Sequence, residues 1–201
     1  MPPLVLKIGG SLLATGRARD VLTMAGCSPR RVVIVPGGGA FADAVREAQV
    51  EQGFSDAVGH RLAILAMHHM AAEFQDMQPG LTSAETIDEI QNAWNHGQLP
   101  LWLPWAMVEP EATIAQDWSM TSDGLAAWLA GQLGGAEVAL VKSCTVPPEA
   151  SLEVLAEAGI TDTQFPKLVA QSGLTWLVLG AADDARLSAL LASDDLLGRP
   201  A

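Results

Sequence analysis

Short apolar runs recur along the chain and are separated by longer segments of mixed polarity. The runs cover residues 4–8, 31–35, 137–141 and 174–179; they are rich in Val, Ile and Leu and are bounded by glycine or proline. Apolar runs of this length and composition are typical of strands that are buried on both faces of a parallel sheet. The pattern therefore predicts buried parallel strands at these four positions.

The segments between the runs carry apolar residues at helical spacing, and several end at a glycine such as Gly97, Gly134 or Gly159. Strand and helix thus alternate, which predicts an α/β fold: a three-layer αβα sandwich with a mainly parallel central sheet, in a single domain over 1–201. Ligands are expected at the carboxyl ends of the strands. The predicted helices cover residues 11–25, 39–52, 56–76, 83–96, 122–133, 149–158 and 183–192.

Residues 98–120 interrupt this alternation with three prolines and three tryptophans. A short strand is expected at 101–103. Two interpretations of the remainder stay open. The segment is either a connector held down by its aromatic side chains or a wall of a substrate pocket, since long ordered loops often carry function.

Two predicted strands end in glycine turns. Lys7 and Ile8 are followed by Gly9 and Gly10, and a triple glycine at 37–39 opens the helix after the second strand. Glycine lets backbone N–H groups approach a ligand, and a helix N-terminus favours anions, so these turns suit phosphate. The Walker pattern GxxxxGK[ST] of P-loop nucleotide-binding proteins is missing from the sequence. A weak dinucleotide-binding pattern, GGGAFA with Asp56 further on, keeps an NAD-binding alternative open.

A third informative stretch is WSMTSDGLAAWLAG at 118–131. Thr121 or Ser122 can cap a helix whose first turn contains Asp123, and capping alone would explain these residues. However, the strand after this helix ends at Lys142, a position equivalent to that of Lys7. An aspartate between two such lysines would hold both ammonium groups in place while they keep their charge.

Composition narrows the possible partners. Eleven Lys and Arg face 23 Asp and Glu, giving a formal charge of −12, which disfavours nucleic acid and anionic membrane surfaces. The chain shows neither a secretory leader pattern nor a long apolar span, and its two cysteines have no metal or redox spacing. A cytoplasmic location is expected. Only three lysines are present, so each is a candidate for a specific role.

Together these motifs resemble the amino-acid kinase fold family, which includes uridylate kinase, isopentenyl phosphate kinase and acetylglutamate kinase. The resemblance spans nearly the whole chain. Its matching pieces are KIGGS at 7–11, VPGGGAFADAVR at 35–46, TSDGLAAWLA at 121–130, LVKSCTV at 140–146, FPKL at 165–168 and LGAADDARLSALL at 179–191.

The resemblance implies an ATP-dependent kinase that uses Mg²⁺ and forms a homo-oligomer. In that family the first lysine and its glycine turn contact the transferred phosphoryl group, the triple glycine holds the acceptor, and the aspartate orients the lysines. The implied residues for phosphoryl and nucleotide contact are Lys7, Gly9, Gly10, Ser11, Lys142, Ser143 and Gly180; for the acceptor Gly37, Gly38, Gly39 and Ser122; and for orientation Asp123.

The second catalytic lysine is either Lys142 or Lys167. The family's Gly-Gly-Met is missing before Lys167, and its terminal Gly-Thr is replaced by Gly198-Arg199. A narrower combination of motifs, including GHRLAILAM at 59–67, resembles the branch that phosphorylates aminomethylfuranmethanol phosphate, [5-(aminomethyl)furan-3-yl]methyl phosphate, on the route to methanofuran. Another acceptor, UMP or isopentenyl phosphate, and a non-catalytic relative remain alternatives.

Further residues are candidates for the acceptor pocket. An acidic or aromatic wall of Trp105, Asp117 and Trp118 would suit an aminomethyl cation. His60 is either a core histidine or a contact to the acceptor's phosphate, as the resemblance to isopentenyl phosphate kinase implies. Arg46 is either a second such contact or a surface cation.

Overall fold

The computed structural model describes residues 2–192, in which six strands form one sheet in the order β3-β4-β2-β1-β5-β6. All of the strand pairs in this sheet are parallel. The strands are β1 (Leu4–Ile8), β2 (Val32–Pro36), β3 (Leu81–Ala84), β4 (Leu99–Trp102), β5 (Glu137–Val141) and β6 (Trp176–Leu179).

Helices cover the sheet on both faces, so the predicted α/β sandwich is confirmed. After β1 a 3₁₀ helix (Gly10–Thr15) precedes the first α-helix. The α-helices are α1 (Arg17–Gly26), α2 (Gly39–Gln52), α3 (Asp56–Met77), α4 (Ile87–Asn95), α5 (Trp105–Val108), α6 (Ser122–Gln132), α7 (Leu152–Glu157), α8 (Phe165–Ser172) and α9 (Asp184–Ala192). Among the described residues, no helix is both long enough and apolar enough to cross a bilayer.

Two buried clusters lie on the two faces of the sheet. Leu4, Leu6 and Ile8 of β1 belong to one cluster, together with side chains of α1 and α9, whereas Val5 belongs to the cluster that contains α6 and α8. Side chains alternate between the faces along a strand, so Lys7 points to the α6 face. The same alternation in β5 continues to Lys142 on that face, because Val138 and Leu140 also pack in the α6 cluster.

The strand order reverses at β1. The chain passes from β1 to β2 on one side and later adds β5 on the other, with Lys7 aligned with Leu140. Loops that leave such a switch point diverge and open a crevice at the carboxyl ends of the strands. The turns after β1, β2 and β5 therefore surround one opening.

Several predicted boundaries were wrong. The helix predicted at 83–96 begins only at Ile87, because Leu81–Ala84 is an edge strand with two solvent-facing polar positions and no long apolar run. The helix predicted at 11–25 breaks at Gly16, which adopts a left-handed conformation with φ of 73°. The eight-residue helix α8 was not predicted, because it is too short to show a clear helical period.

Candidate active site

A cavity of about 560 Å³ opens at the carboxyl edge of the sheet. Its walls are the turns after β1, β2 and β5, parts of α2 and α3, the first turn of α6, and the loop at 158–162. Pockets of this size at a switch point are the usual place for a small ligand in α/β proteins. Of the predicted site residues, it brings together Lys7, Gly9, Gly10, Ser11, Gly37, Gly38, Gly39, Arg46, His60, Trp118, Ser122, Asp123, Lys142 and Ser143.

Three ionised side chains form the centre of this cavity. Asp123 is 3% exposed and Lys7 is 6% exposed. Lys7 Nζ lies 2.9 Å from Asp123 Oδ1, and Lys142 Nζ donates a hydrogen bond to Asp123 Oδ2. Both oxygens of one carboxylate are thus paired with lysines from two neighbouring strands.

Mutual pairing keeps the aspartate charged despite its burial. Burial raises the pKa of Asp123, but the ammonium groups of Lys7 and Lys142 outweigh burial and hold the pKa below its ordinary value. For Lys142, burial and the charge of Lys7 lower the pKa, and the two nearby carboxylates, Asp123 and Asp162, only partly offset this. The site therefore holds two closely spaced cations that have little contact with water.

The two glycine turns are pressed against each other beside these lysines. A Cβ atom on Gly10 would lie 2.3 Å from Gly39 Cα, and Gly39 itself has a φ of 54°. Gly9 N donates to Val141 O at 3.1 Å and Gly37 N donates to Ile8 O at 2.8 Å, so these two amides are already used. The amides available to an anion are those that begin the next helices, at Gly10 and Gly39.

On the β5 side, the turns after β1 and β5 are joined directly. The hydroxyl oxygens of Ser11 and Ser143 are 2.8 Å apart. Arg17, which sequence analysis missed, is buried behind these turns, and its guanidinium donates to Lys142 O at 2.8 Å and to Gly180 O at 2.7 Å. Arg17 thereby fixes the backbone from which the Lys142 side chain projects.

Gly180 was predicted to contact the nucleotide, but it does not line the cavity. A Cβ at this position would lie 2.8 Å from Val146 N and 2.9 Å from Cys144 O. Close approach of two backbone segments therefore explains this glycine.

On the β2 side, polar and aromatic groups of α2, α3 and the long connector form the wall. The guanidinium carbon of Arg46 lies 4.2 Å from the ring centroid of Trp118, and Trp118 Nε1 donates to Gln49 Oε1 at 2.6 Å. His60 is 4% exposed and its Nε2 has no partner. Burial lowers the pKa of His60, opposed by the charge of Asp117, so the neutral imidazole is favoured at neutral pH.

Four other candidates lie outside the cavity. Lys167 is exposed on α8, and Trp105 packs against the apolar core, where its backbone N–H donates to His68 Nε2. Asp117 does not line the cavity, and Ser119 N donates to its carboxylate at 2.8 Å. Asp56 begins α3 rather than ending a strand, so the NAD-binding pattern is not fulfilled. Gly198 and Arg199 lie outside the described residues.

Asp162 is the main residue that sequence analysis missed. It lines the cavity beside Thr161, whose buried hydroxyl has no partner. An Asp just before a helix start signals a cap, and this signal was available in TDTQFP; its proximity to Asp123 was not, because that contact joins distant segments of the chain.

The donor set of the cavity favours phosphate groups over a metal held by the protein alone. Within residues 2–192, no group of three or more His, Cys, Asp or Glu side chains could hold a metal ion. Mg²⁺ often keeps several waters and binds mainly through substrate phosphates, so the predicted ion has no cage of side chains here. Two ammonium groups and bare helix-start amides, by contrast, match anionic oxygens.

Comparisons with known proteins found similarity in sequence and in fold. Our chain is 26% identical over 137 residues to the [5-(aminomethyl)furan-3-yl]methyl phosphate kinase of Methanocaldococcus jannaschii; the match spans 67% of our chain and 62% of that protein. Uridylate kinase from Archaeoglobus fulgidus has a similar fold, with a TM-score of 0.67 at 18% identity over 98% of both chains. An isopentenyl phosphate kinase gives a TM-score of 0.61 at 16% identity, also over 98% of both chains.

The family profile gives the most direct assignment. The profile described as "Amino acid kinase family" matches residues 2–144, a stretch that includes both glycine turns, Asp123 and Lys142. The predicted resemblance is therefore confirmed, and the chain belongs to the amino acid kinase family.

Proposed function

We propose that this protein is an ATP-dependent phosphotransferase that acts on a small acceptor already bearing a phosphate. The observation that carries the proposal is the buried Asp123 carboxylate paired with Lys7 and Lys142 beside two glycine turns. Phosphoryl transfer needs positioning and stabilisation of negative charge more than covalent help from the protein. Two fixed cations and free helix-start amides supply both.

The reaction balances as a single displacement. A bond forms between an oxygen of the acceptor's phosphate and the γ-phosphorus of ATP, while the bond from that phosphorus to the β,γ-bridging oxygen breaks and ADP leaves with the electron pair. In this scheme Lys7 and Lys142 neutralise the oxygens of the transferred group. When bound, Mg²⁺ would supply further charge neutralisation through the nucleotide's phosphates.

A phosphate acceptor fits the pairing of the central carboxylate. Both oxygens of Asp123 are paired with lysine, so this carboxylate is not free to take a proton. A phosphate oxygen is anionic near neutral pH and needs no deprotonation, whereas an alcohol would require a base within hydrogen-bond reach. The pairing of Asp123 therefore supports a phosphate acceptor, which does not need this carboxylate as a base.

Our best candidate for the acceptor is [5-(aminomethyl)furan-3-yl]methyl phosphate, which would yield the diphosphate. It is supported by the named relative from Methanocaldococcus jannaschii and by the chemistry of the wall near β2. In this proposal, Gly39 N–H, Arg46 and the neutral His60 contact the acceptor's phosphate, and the apolar side chains of Ile64, Met67 and Met120 surround its body. A homo-oligomeric state and a cytoplasmic location remain predictions.

The test is a transfer assay with ATP, Mg²⁺ and three acceptors: the furan phosphate, UMP and isopentenyl phosphate. We expect ADP release and a new diphosphate signal in ³¹P NMR with the furan phosphate, and none with Lys7→Ala under the same conditions. Faster turnover of UMP or isopentenyl phosphate would contradict the proposed acceptor but still support the proposed kinase activity. No transfer to any of the three, with ATP still bound in calorimetry, would favour the non-catalytic relative.

A further inference from the structure

The carboxylate of Asp162 ties the first turn of α6 to the loop on the far wall of the cavity. Its Oδ2 accepts hydrogen bonds from Thr121 N, Thr121 Oγ1 and Gly124 N, each at 2.8 Å. These donors flank Asp123 on both sides in the sequence. Asp162 therefore fixes the short stretch of backbone from which the central aspartate projects.

The same carboxylate also holds the start of α8. Asp162 Oδ1 accepts from Phe165 N at 2.8 Å and from Gln164 N at 3.2 Å. All five groups are donors, which suits an ionised acceptor. One side chain thus caps two helices, and a change in it would release both ends at the cavity wall.

Gly124 shows that the fold leaves room for this second carboxylate. A Cβ atom on Gly124 would lie 3.0 and 3.2 Å from the two Asp162 oxygens and 2.5 Å from Met120 Sδ. A residue with a side chain directly after Asp123 would displace Met120 and crowd Asp162. This glycine is therefore explained by the close approach of Met120 and Asp162 rather than by a turn.

The charges on the cavity wall are balanced in pairs. Lys142 faces Lys7 of β1, Asp123 of α6 and Asp162 of the loop before α8. Burial and the charge of Lys7 lower the pKa of Lys142, and the two carboxylates partly offset this lowering. Burial and the charge of Asp123 in turn raise the pKa of Asp162. Two lysines are thus set against two carboxylates, of which only Asp123 touches them directly.

We propose that Asp162 is a positioning residue for phosphoryl transfer: it holds the turn that carries Asp123, and through Asp123 it orients the ammonium group of Lys142. This inference rests on the proposed kinase function for its meaning. Its main test, however, needs no substrate.

The test uses the scarcity of lysine in this chain. With lysine labelled at ¹³Cε, NMR titration follows only Lys7, Lys142 and Lys167, whose signals are identified by Lys→Arg substitutions. In Asp162→Asn we expect the pKa of Lys142 to fall below its wild-type value while that of the exposed Lys167 does not move. We also expect kcat for the best acceptor to fall by about tenfold or more, with the acceptor KM within about threefold, as loss of positioning predicts.

Thr86→Ala is the matched control for loss of a helix cap. Thr86 Oγ1 accepts from Glu89 N at the start of α4, and Thr86 does not line the cavity. An unchanged Lys142 pKa in folded Asp162→Asn, or a fall in kcat no larger than that of Thr86→Ala, would overturn the proposal.

If Asp162→Asn does not fold, Asp162→Glu takes its place. This variant keeps the charge but displaces it, so kcat must fall, and a wild-type kcat would overturn the proposal. A wild-type protein inactive with every acceptor would refute the proposed function, and the lysine titration of Asp162→Glu, which keeps the charge, would then decide the role of Asp162: an unchanged Lys142 pKa in that variant would overturn it.

Discussion

Three buried charges at the centre of the cavity depend on one another. An isolated ammonium or carboxylate in such a place would be strongly disfavoured, whereas the Lys7–Asp123–Lys142 cluster satisfies each charge with a neighbour. The excess positive charge remains available to an anion. At the scale of single residues, the site therefore consists of two mostly desolvated lysines that share one buried carboxylate.

Lys142 lines the cavity and pairs with Asp123, whereas Lys167 does not line it, so we propose Lys142 as the second catalytic lysine. We expect Lys142→Met to lower kcat/KM by at least about a hundredfold, because it removes a charge that faces the transferred group. Lys167→Met should stay within about twofold, because its ammonium group is exposed and outside the cavity. Steady-state kinetics on both variants, with circular dichroism to verify folding, checks this. A large loss in Lys167→Met alone would reverse the assignment.

His60 should make the protein less stable in mild acid. Burial lowers its native pKa below the ordinary value of 6.5, so the unfolded chain binds the proton more readily than the native state. At a pH well above 6.5, this difference in pKa does not affect stability. As the pH falls through 6.5 towards the native pKa of His60, the free energy of unfolding decreases. His60→Gln should lose less stability than wild type between about pH 7.5 and about pH 5.5 in urea denaturation. Equal losses of unfolding free energy in both proteins would contradict the role of His60.

The loss of stability in mild acid should be reduced rather than abolished in His60→Gln. Burial also lowers the pKa of His68, which remains in place and contributes with the same sign. The comparison between the two proteins therefore isolates the part that belongs to His60.

At the scale of elements, the site is made by the ends of three adjacent strands. The glycine turns after β1 and β2 meet because their strands are neighbours, and α6 contributes Asp123 from its first turn. Side-chain hydroxyls from these segments form hydrogen bonds within the site. Thr121 caps α6, and the hydroxyl of Ser11 bonds to that of Ser143. The geometry is set by rigid strands and helix starts rather than by a flexible loop.

Gly10 should tolerate no side chain. In Gly10→Ala the new Cβ would meet Gly39 Cα at 2.3 Å and Gly39 N at 2.4 Å, so the two turns must separate. We expect the free energy of unfolding to fall by about 1–3 kcal/mol. The rate of phosphoryl transfer should fall more than about tenfold, because the lysines and the backbone amides lose their relative positions.

Gly80→Ala is the control for this prediction. The nearest atom to its Cβ is Gln78 Nε2 at 3.9 Å, so its free energy of unfolding should stay within about 0.5 kcal/mol of wild type. Urea denaturation and turnover measured on both variants test the prediction. It is wrong if Gly10→Ala is as stable and as active as Gly80→Ala.

At the scale of the whole molecule, the chain has a formal charge of −12, whereas the cations and carboxylates that line the cavity balance each other in number. The surrounding acidic surface repels polyanions in general, whereas the buried lysines attract a small anion that enters the cavity. The switch in strand order puts this cavity at one edge of the sheet. The opposite edge, where α1 ends before β2, contributes nothing to it.

The two cysteines report on these two edges. Both are exposed, but Cys144 lines the cavity after Lys142, and Cys27 lies at the end of α1. If ATP binds as we propose, it should slow alkylation of Cys144 by iodoacetamide several-fold and leave that of Cys27 unchanged. Peptide mass spectrometry after timed labelling measures both in one sample. Equal rates with and without ATP, under conditions where ATP is bound, would move the nucleotide away from the Ser143–Cys144 turn.

The sequence by itself determined the local parts of this protein. Apolar runs and helical spacing identified the central strands and most helices, because burial and backbone periodicity are written in neighbouring residues. The glycine turns, Lys7 and Asp123 could be predicted for the same reason: each lies at the end of an element that its own neighbours define.

Only the tertiary structure decided which distant residues meet. Pairing of β1 with β5 put Lys142, and not Lys167, against Asp123, and packing of the loop before α8 brought in Asp162. Burial of Arg17 behind β5 and the contact of Gln49 with Trp118 also join distant segments. Local propensity carries no information about such pairings, because they depend on how the faces of the elements pack together.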